Sequence, residues 1–147
     1  MPDKTELMRH IALFRGLADA QLQTLVDAAR LCVYPRDAVI VEQGQRIEEA
    51  QDGDSLYLIA EGRVRVVRDR DEKQQLLAEL GPGEFFGEMT LLDGKPRSAT
   101  VIADDDTQCL ILSRWDLLRA MRRDPDIAIN MLAVMSARLR SMQNLLV

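Results

Sequence analysis

The spacing of apolar residues changes twice along this chain. Up to residue 34, Leu7, Ile11, Phe14, Leu17, Leu22, Leu25 and Val26 recur three to four apart, the period of an amphipathic helix. Gly16 interrupts that pattern, Asp19 restarts it as an N-cap, and Pro35 ends the helical region 1–34. Between Ala38 and Ser113 the texture becomes short and β-prone. Strands are predicted at Val39–Val41, Leu56–Ala60, Arg63–Val67, Gln75–Leu80, Ala99–Ala103 and Gln108–Leu112, with Gly44, Gly53, Gly62, Gly81, Gly83 and Gly94 between them. Arg63 to Val66 alternates charged and apolar residues, as a strand with one wet face does. Many short strands with glycine turns imply a barrel, sandwich or jelly roll at 38–112.

From Ser113 the helical period returns over 113–147. Ser113 caps a helix through Trp115, Leu118 and Met121. Asp124-Pro125 then supplies an N-cap and a first-turn proline for a second helix that runs to the end of the chain. Ala128, Leu132, Met135, Leu139, Met142 and Leu146 fall four and three apart, a heptad seam, with Ile127, Met131 and Val134 as a second stripe beside it. Either one stripe packs on the barrel while the other meets a partner, or both form one wide face on their own domain.

A length of 147 residues suits a single domain. With 47% hydrophobic and 29% charged residues the chain matches an ordinary soluble globular protein. It has no apolar run of membrane-spanning length and no signal-peptide pattern at its start, so a cytoplasmic location and no membrane partner are expected. The net charge of −5 argues against nucleic acid held by this chain alone. Arg63, Arg65, Arg68 and Arg70 are interleaved or followed by Asp69, Asp71 and Glu72, which reads as the solvated face and tip of a hairpin. The two cysteines, Cys32 and Cys109, read as buried free thiols. Asp104–Asp106 reads as a loop between strands.

The densest chemistry lies in FFGEMTLLDGKPRSATV, residues 85–101. Gly87 lets backbone approach a ligand without a Cβ. Glu88 can accept hydrogen bonds from a sugar hydroxyl. Met89 to Leu92 can form one helical turn whose free N–H groups face an anion. Arg97 can grip phosphate oxygens through two parallel donors. Glu88 and Arg97 are alternatively a structural ion pair, although such a buried pair is a poor stabilising device.

These residues resemble the phosphate-binding cassette of the cyclic nucleotide-binding domain family, which includes bacterial catabolite activator proteins and protein kinase A regulatory subunits. The core match is GPGEFFGEMTLLDGKPRSATV at 81–101, supported by LFRGL before it, by VEQG and GDSLYLIAEGRVRV, and by DPDIAINMLAVMSARL after it. The resemblance implies a mainly β fold, a jelly-roll barrel with N-terminal helices and a long C-terminal helix. It implies cAMP, or else cGMP, as ligand, with no cofactor, no metal and no catalysis. Glu88 would meet the ribose 2′-hydroxyl, Arg97 the exocyclic phosphate oxygens, and Ser98 the phosphate or base. Phe86, Gly87, Met89, Thr90 and Ala99 would complete the cradle. Arg138 would meet Glu88, and Met142 and Gln143 would cap the base, although by spacing alone Arg138 reads as solvent-facing and Met142 as seam or core.

Two departures stand out. Gly44 to Gly53 encloses more residues than the family's tight turn, and the sequence ends after the long helix, where catabolite activators continue into a helix-turn-helix. That leaves a free-standing sensor acting on a protein partner, or the sensory half of a transcription factor, and the heptad seam adds a homodimer through the C-terminal helix. A nucleotide-free dimerisation module is the rival from another class. A cupin-type metalloenzyme would need clustered ligands, and His10 is the single histidine.

Overall fold

The computed structural model describes residues 3–45 and 55–142. Helix α1 (Lys4–Arg9), a 3-10 turn (Ala12–Phe14) and α2 (Asp19–Ala28) come first. The strands are β1 (Arg30–Tyr34), β2 (Val39–Val41), β3 (Leu56–Glu61), β4 (Val64–Arg70), β5 (Lys73–Leu80), β6 (Phe85–Phe86), β7 (Thr100–Ala103) and β8 (Thr107–Leu112). Helix α3 (Glu88–Asp93) lies between β6 and β7, and α4 (Arg114–Arg123) and α5 (Pro125–Met142) follow β8. Antiparallel pairing builds two four-stranded sheets, ordered β1-β8-β3-β6 and β2-β7-β4-β5. This is a mainly β jelly roll flanked by N-terminal helices and a long C-terminal helix, as the sequence implied.

Strand alternation explains how three layers form. β3 sends Leu56 and Leu58 to one side and Tyr57 and Ile59 to the other, and all four are buried. β8 does the same with Leu110 and Leu112 against Cys109 and Ile111, and β6 with Phe85 against Phe86. The first set packs with Phe14, Leu22, Leu25, Leu117, Ile127 and Met131 of the helices. The second set meets Val41, Val64 and Val101 inside the barrel. The first sheet is therefore a wall with apolar packing on both faces.

Local chemistry fixes the helix ends. Ser113 accepts from the N–H of Asp116 and caps α4. Asp124 accepts from the N–H of Asp126, and Pro125 is the first residue of α5, the cap and proline arrangement read from the sequence. The β4–β5 turn places Asp71 and Glu72 at φ 54° and 66°, the left-handed pair of a tight hairpin. Within β4 a register shift between Val66 and Val67 breaks the simple alternation.

Three expectations are corrected. The helical region does not extend to residue 34: α2 stops at Ala28, and Arg30–Tyr34 is a strand paired with β8 along its whole length. The β-prone Leu-Cys-Val-Tyr run satisfies its backbone in that ladder, and Pro35 ends a strand. Asp19 is the first residue of α2 instead of its cap; Ala18 holds that place, with its N–H donating to the Gln21 side chain at 2.7 Å. Phe85–Phe86 pairs with Leu58 and Tyr57 as a short strand that the sequence reading left inside the cassette.

Because Leu58 is fully buried between the wall and the helices, Leu58→Ala should cost about 2–5 kcal/mol. Val33→Thr, at a position 64% exposed, should change stability by no more than about 0.5 kcal/mol. Urea denaturation of the two variants checks the contrast, and equal losses would mean that β3 is not a two-faced wall.

Candidate functional site

The segment after β6 needs a conformation that only glycine accepts easily. Gly87 has φ 90° and ψ 0° and precedes the first residue of α3. A Cβ there would lie 2.8 Å from Arg97 Nη1 and 2.9 Å from the Ser55 carbonyl oxygen. Missing bulk at Gly87 thus gives the Arg97 guanidinium its place beside the start of α3. The helix is six residues long and closes on Gly94, at φ 71°, whose N–H donates to the Thr90 carbonyl at 2.9 Å. Thr90 and Leu91 are buried, and Arg114 Nε donates to the Leu91 carbonyl at 2.9 Å, tying α3 to α4.

Residues 92–96 are exposed, and the chain then turns inward at Arg97, which is 5% exposed. Its Nη1 donates to the Gly87 carbonyl at 3.2 Å and its Nη2 to the Ser55 carbonyl at 3.3 Å. The guanidinium carbon sits 5.7 Å from the centre of the Tyr57 ring, which stacks on Phe86 at 4.9 Å. The Arg97 backbone bridges to the turn after β2, donating to Gln45 at 3.1 Å and accepting from Gly44 at 2.8 Å. A cation held in this way, against a helix start, offers a planar donor fork to an anion.

Glu88, 8% exposed, occupies the first position of α3. Among the described residues its ion pair is with Arg138 of α5, Nη1 to Oε1 at 2.8 Å. Arg138 Nη2 donates to the Phe85 carbonyl at 3.1 Å, and its guanidinium carbon lies 3.9 Å from the centre of the Phe85 ring. Arg138 thus meets Glu88 as the resemblance implies, and the reading from spacing alone, a solvent-facing residue, is corrected. Its place on the stripe that continues from Ile127, Met131 and Val134 carries it to the cassette. The alternative of a structural Glu88–Arg97 pair is corrected too, since the two groups take different partners.

The structure brings together Phe86, Gly87 and Arg97 around Tyr57, and Glu88 and Arg138 beside them, while Thr90 is buried within α3. Ser98 is exposed, its carbonyl accepting from Arg68 Nε at 3.3 Å, and Ala99 is half-buried on the approach to β7. Met89 and Met142 lie in α3 and at the end of α5, with side chains outside the described atoms, and Gln143 and residues 46–54 lie outside the described residues. Ser55, Tyr57 and Phe85 were missed as contacts of the site. Tyr57 carried a weak signal, being the one aromatic residue in the aliphatic run of β3. Two shallow concavities, beside Gln21 and Arg123 and beside His10 and Gly83, involve none of the cassette residues 85–101. No cluster of metal-ligating side chains occurs among the described residues.

Comparison with known proteins places this geometry. The model of the cyclic nucleotide-binding domain matches residues 31–124. The chain is 40% identical over 134 residues to the cyclic AMP receptor protein of Thermus thermophilus, a match covering 90% of this chain and 59% of the receptor. It is 37% identical over 123 residues to a cyclic nucleotide-gated potassium channel of Rhizobium etli, covering 84% of this chain and 32% of the channel. The crystal structure of Thermus thermophilus catabolite activator protein superposes with a TM-score of 0.79 at 40% identity, over 89% of this chain and 59% of that one. The N-terminal domain of a Streptomyces coelicolor transcriptional regulator gives 0.75 at 30% identity, over 96% of both chains. The chain thus spans less than two thirds of the length of the curated relatives it matches. From Gly87 to Arg97 and across the barrel that carries them, the chain belongs to the cyclic nucleotide-binding domain family.

Proposed function

We propose that this chain is a non-catalytic cyclic nucleotide sensor that prefers cAMP and passes binding to its C-terminal helix. The carrying observation is that Gly87 seats the buried guanidinium of Arg97 and is followed at once by Glu88, a second buried charged residue. In this reading Arg97 takes the exocyclic phosphate oxygens and Glu88 the ribose 2′-hydroxyl. Ser98 and Ala99 flank the phosphate, Phe86, Met89 and Thr90 line the cradle, and Met142 and Gln143 close over the base. The preference for cAMP rests on the 40% identical relative whose name states that ligand.

Glu88 makes the coupling to α5 concrete. Its carboxylate already holds Arg138, so a sugar hydroxyl arriving there must share or displace that contact. The nucleotide then binds one placement of α5 better than another, as any ligand-driven shift requires. Outward from this contact, Leu132 and Leu139 of the seam are 70% and 49% exposed, whereas Ile127 and Met131 are buried against the domain. The exposed leucines favour a homodimer through α5, with a protein partner as the output. They also fit the rival reading, a nucleotide-free dimerisation module.

Titration calorimetry of nucleotide-stripped protein separates the two readings. A saturable heat near one cAMP per chain is expected, weaker with cGMP. Arg97→Ala should lower affinity by about a hundredfold or more, the loss of two charge-assisted hydrogen bonds at roughly 1.5–3 kcal/mol each. Arg97→Lys should fall between, since it keeps the charge without the fork. No heat from folded, empty protein would leave the dimerisation module standing.

Hydrogen exchange addresses the coupling. Amides of residues 135–142 should change protection when cAMP binds, and Arg138→Ala should abolish most of that change while cAMP still binds. Identical protection in the wild-type protein with and without cAMP would reject the coupling through α5.

Leu139→Glu should yield monomers in sedimentation velocity with the melting temperature little altered. An unchanged sedimentation coefficient from a folded dimeric variant would place the contact elsewhere.

A further inference from the structure

Strand β1 forms one edge of the first sheet, and its register on β8 sets Cys32 directly opposite Cys109. Directly opposed residues of an antiparallel ladder share a face, with Cα atoms about 4.5–5.5 Å apart. That spacing lies inside the roughly 4.4–6.8 Å a disulfide spans. Cys109 is fully buried in the barrel cluster with Tyr57, Phe86 and Ile111, and Cys32 packs on the same cluster while remaining partly exposed. Both are free thiols. One is reachable from solvent and the other lies behind it.

We propose that Cys32 and Cys109 form a reversible oxidation site that takes a small hydroperoxide as oxidant and closes to a cross-strand disulfide. The Cys32 thiolate attacks one peroxide oxygen, the O–O bond breaks and hydroxide leaves, so Cys32 becomes a sulfenic acid. The Cys109 sulfur, losing its proton, then attacks the Cys32 sulfur and expels that oxygen as water. In total two thiols and one hydrogen peroxide give one disulfide and two waters, with two electrons passing from sulfur to oxygen. A dithiol reverses it by exchange. The link would fasten edge strand β1 to β8, in the sheet that carries the Tyr57–Phe86 ring pair on the same face.

The second step has its own signature. Burial, and then the neighbouring Cys32, pushes the Cys109 thiol up to about 12. Only the thiolate attacks, and below that value its fraction rises about tenfold per pH unit. With peroxide in excess, closure should therefore be slow at neutral pH and accelerate about a hundredfold from pH 7 to pH 9.

The test oxidises the whole chain with hydrogen peroxide and maps tryptic peptides without reduction. The expected product joins the peptide of residues 31–36 to that of residues 98–114, and it disappears with dithiothreitol. Cys109→Ala should leave Cys32 as sulfenic or sulfinic acid, and Cys32→Ser should leave Cys109 reduced; each keeps the other thiol in case one variant folds poorly. Over-oxidised Cys32 beside reduced Cys109 in the wild-type chain, a Cys32–Cys32 link between chains, or two thiols untouched by peroxide would each overturn the proposal. None of these readouts involves nucleotide, so the outcome is independent of the sensor reading.

Discussion

The structure depends on one wall, the β1-β8-β3-β6 sheet, having to satisfy apolar neighbours on both faces at once. A sheet with one wet face tolerates polar residues at every second position. β3 and β8 have no such freedom, because Leu56, Leu58, Leu110 and Leu112 seat the helices while Tyr57, Ile59, Cys109 and Ile111 fill the barrel. A one-residue slip would exchange the two sets and misplace both layers together. The pairing of Leu58 with Phe85 and Tyr57 with Phe86 extends the same constraint to the start of the cassette.

Phe85 and Phe86 carry the wall's two faces to the site. Phe86 turns into the barrel and stacks on Tyr57, the ring nearest the Arg97 guanidinium, while Phe85 turns to the helices and lies under Arg138. Gly87 follows at once, and its lack of a side chain lets Arg97 come within reach of two carbonyls. Three consecutive residues therefore set a ring, another ring and a gap, and the buried charges Arg97 and Glu88 and the half-buried Arg138 are arranged around them. Burial of such groups is costly unless each has close partners of opposite charge or dipole. Here the partners come from β6, the start of α3, α5 and Ser55 just ahead of β3.

Much of this was legible in the chain because its chemistry is local. Gly87, Glu88 and Arg97 sit within one short segment, and the glycine-punctuated strands announced themselves by composition. What escaped depended on distant pairing. Arg30–Tyr34 follows α2 without a glycine or proline between them, so nothing local marked the change, and only β8, far along the chain, makes it a strand. By spacing alone Arg138 looked solvent-facing, because helical spacing describes a face and says nothing of what lies across it; only the family resemblance set it against Glu88. Its partner Glu88 is fifty positions away. Tyr57 was hidden by its neighbours, since an aromatic residue in a buried run reads as filling until a cation is found beside it.

Helix α5 is pinned unevenly. Near its start Ile127 and Met131 are buried, and the Asn130 side chain donates to the carbonyl of Leu13, ahead of the whole barrel. Farther along, Arg138 meets Glu88 and Phe85. At 1.5 Å of rise per residue these two attachments stand about 12 Å apart, so a tilt of roughly 10° about Asn130 would carry Arg138 sideways by about 2 Å. That is more than a salt bridge can stretch and less than the anchored turn need yield. One end of the helix is thus tied to the 3-10 turn ahead of the barrel, and the other to the cassette.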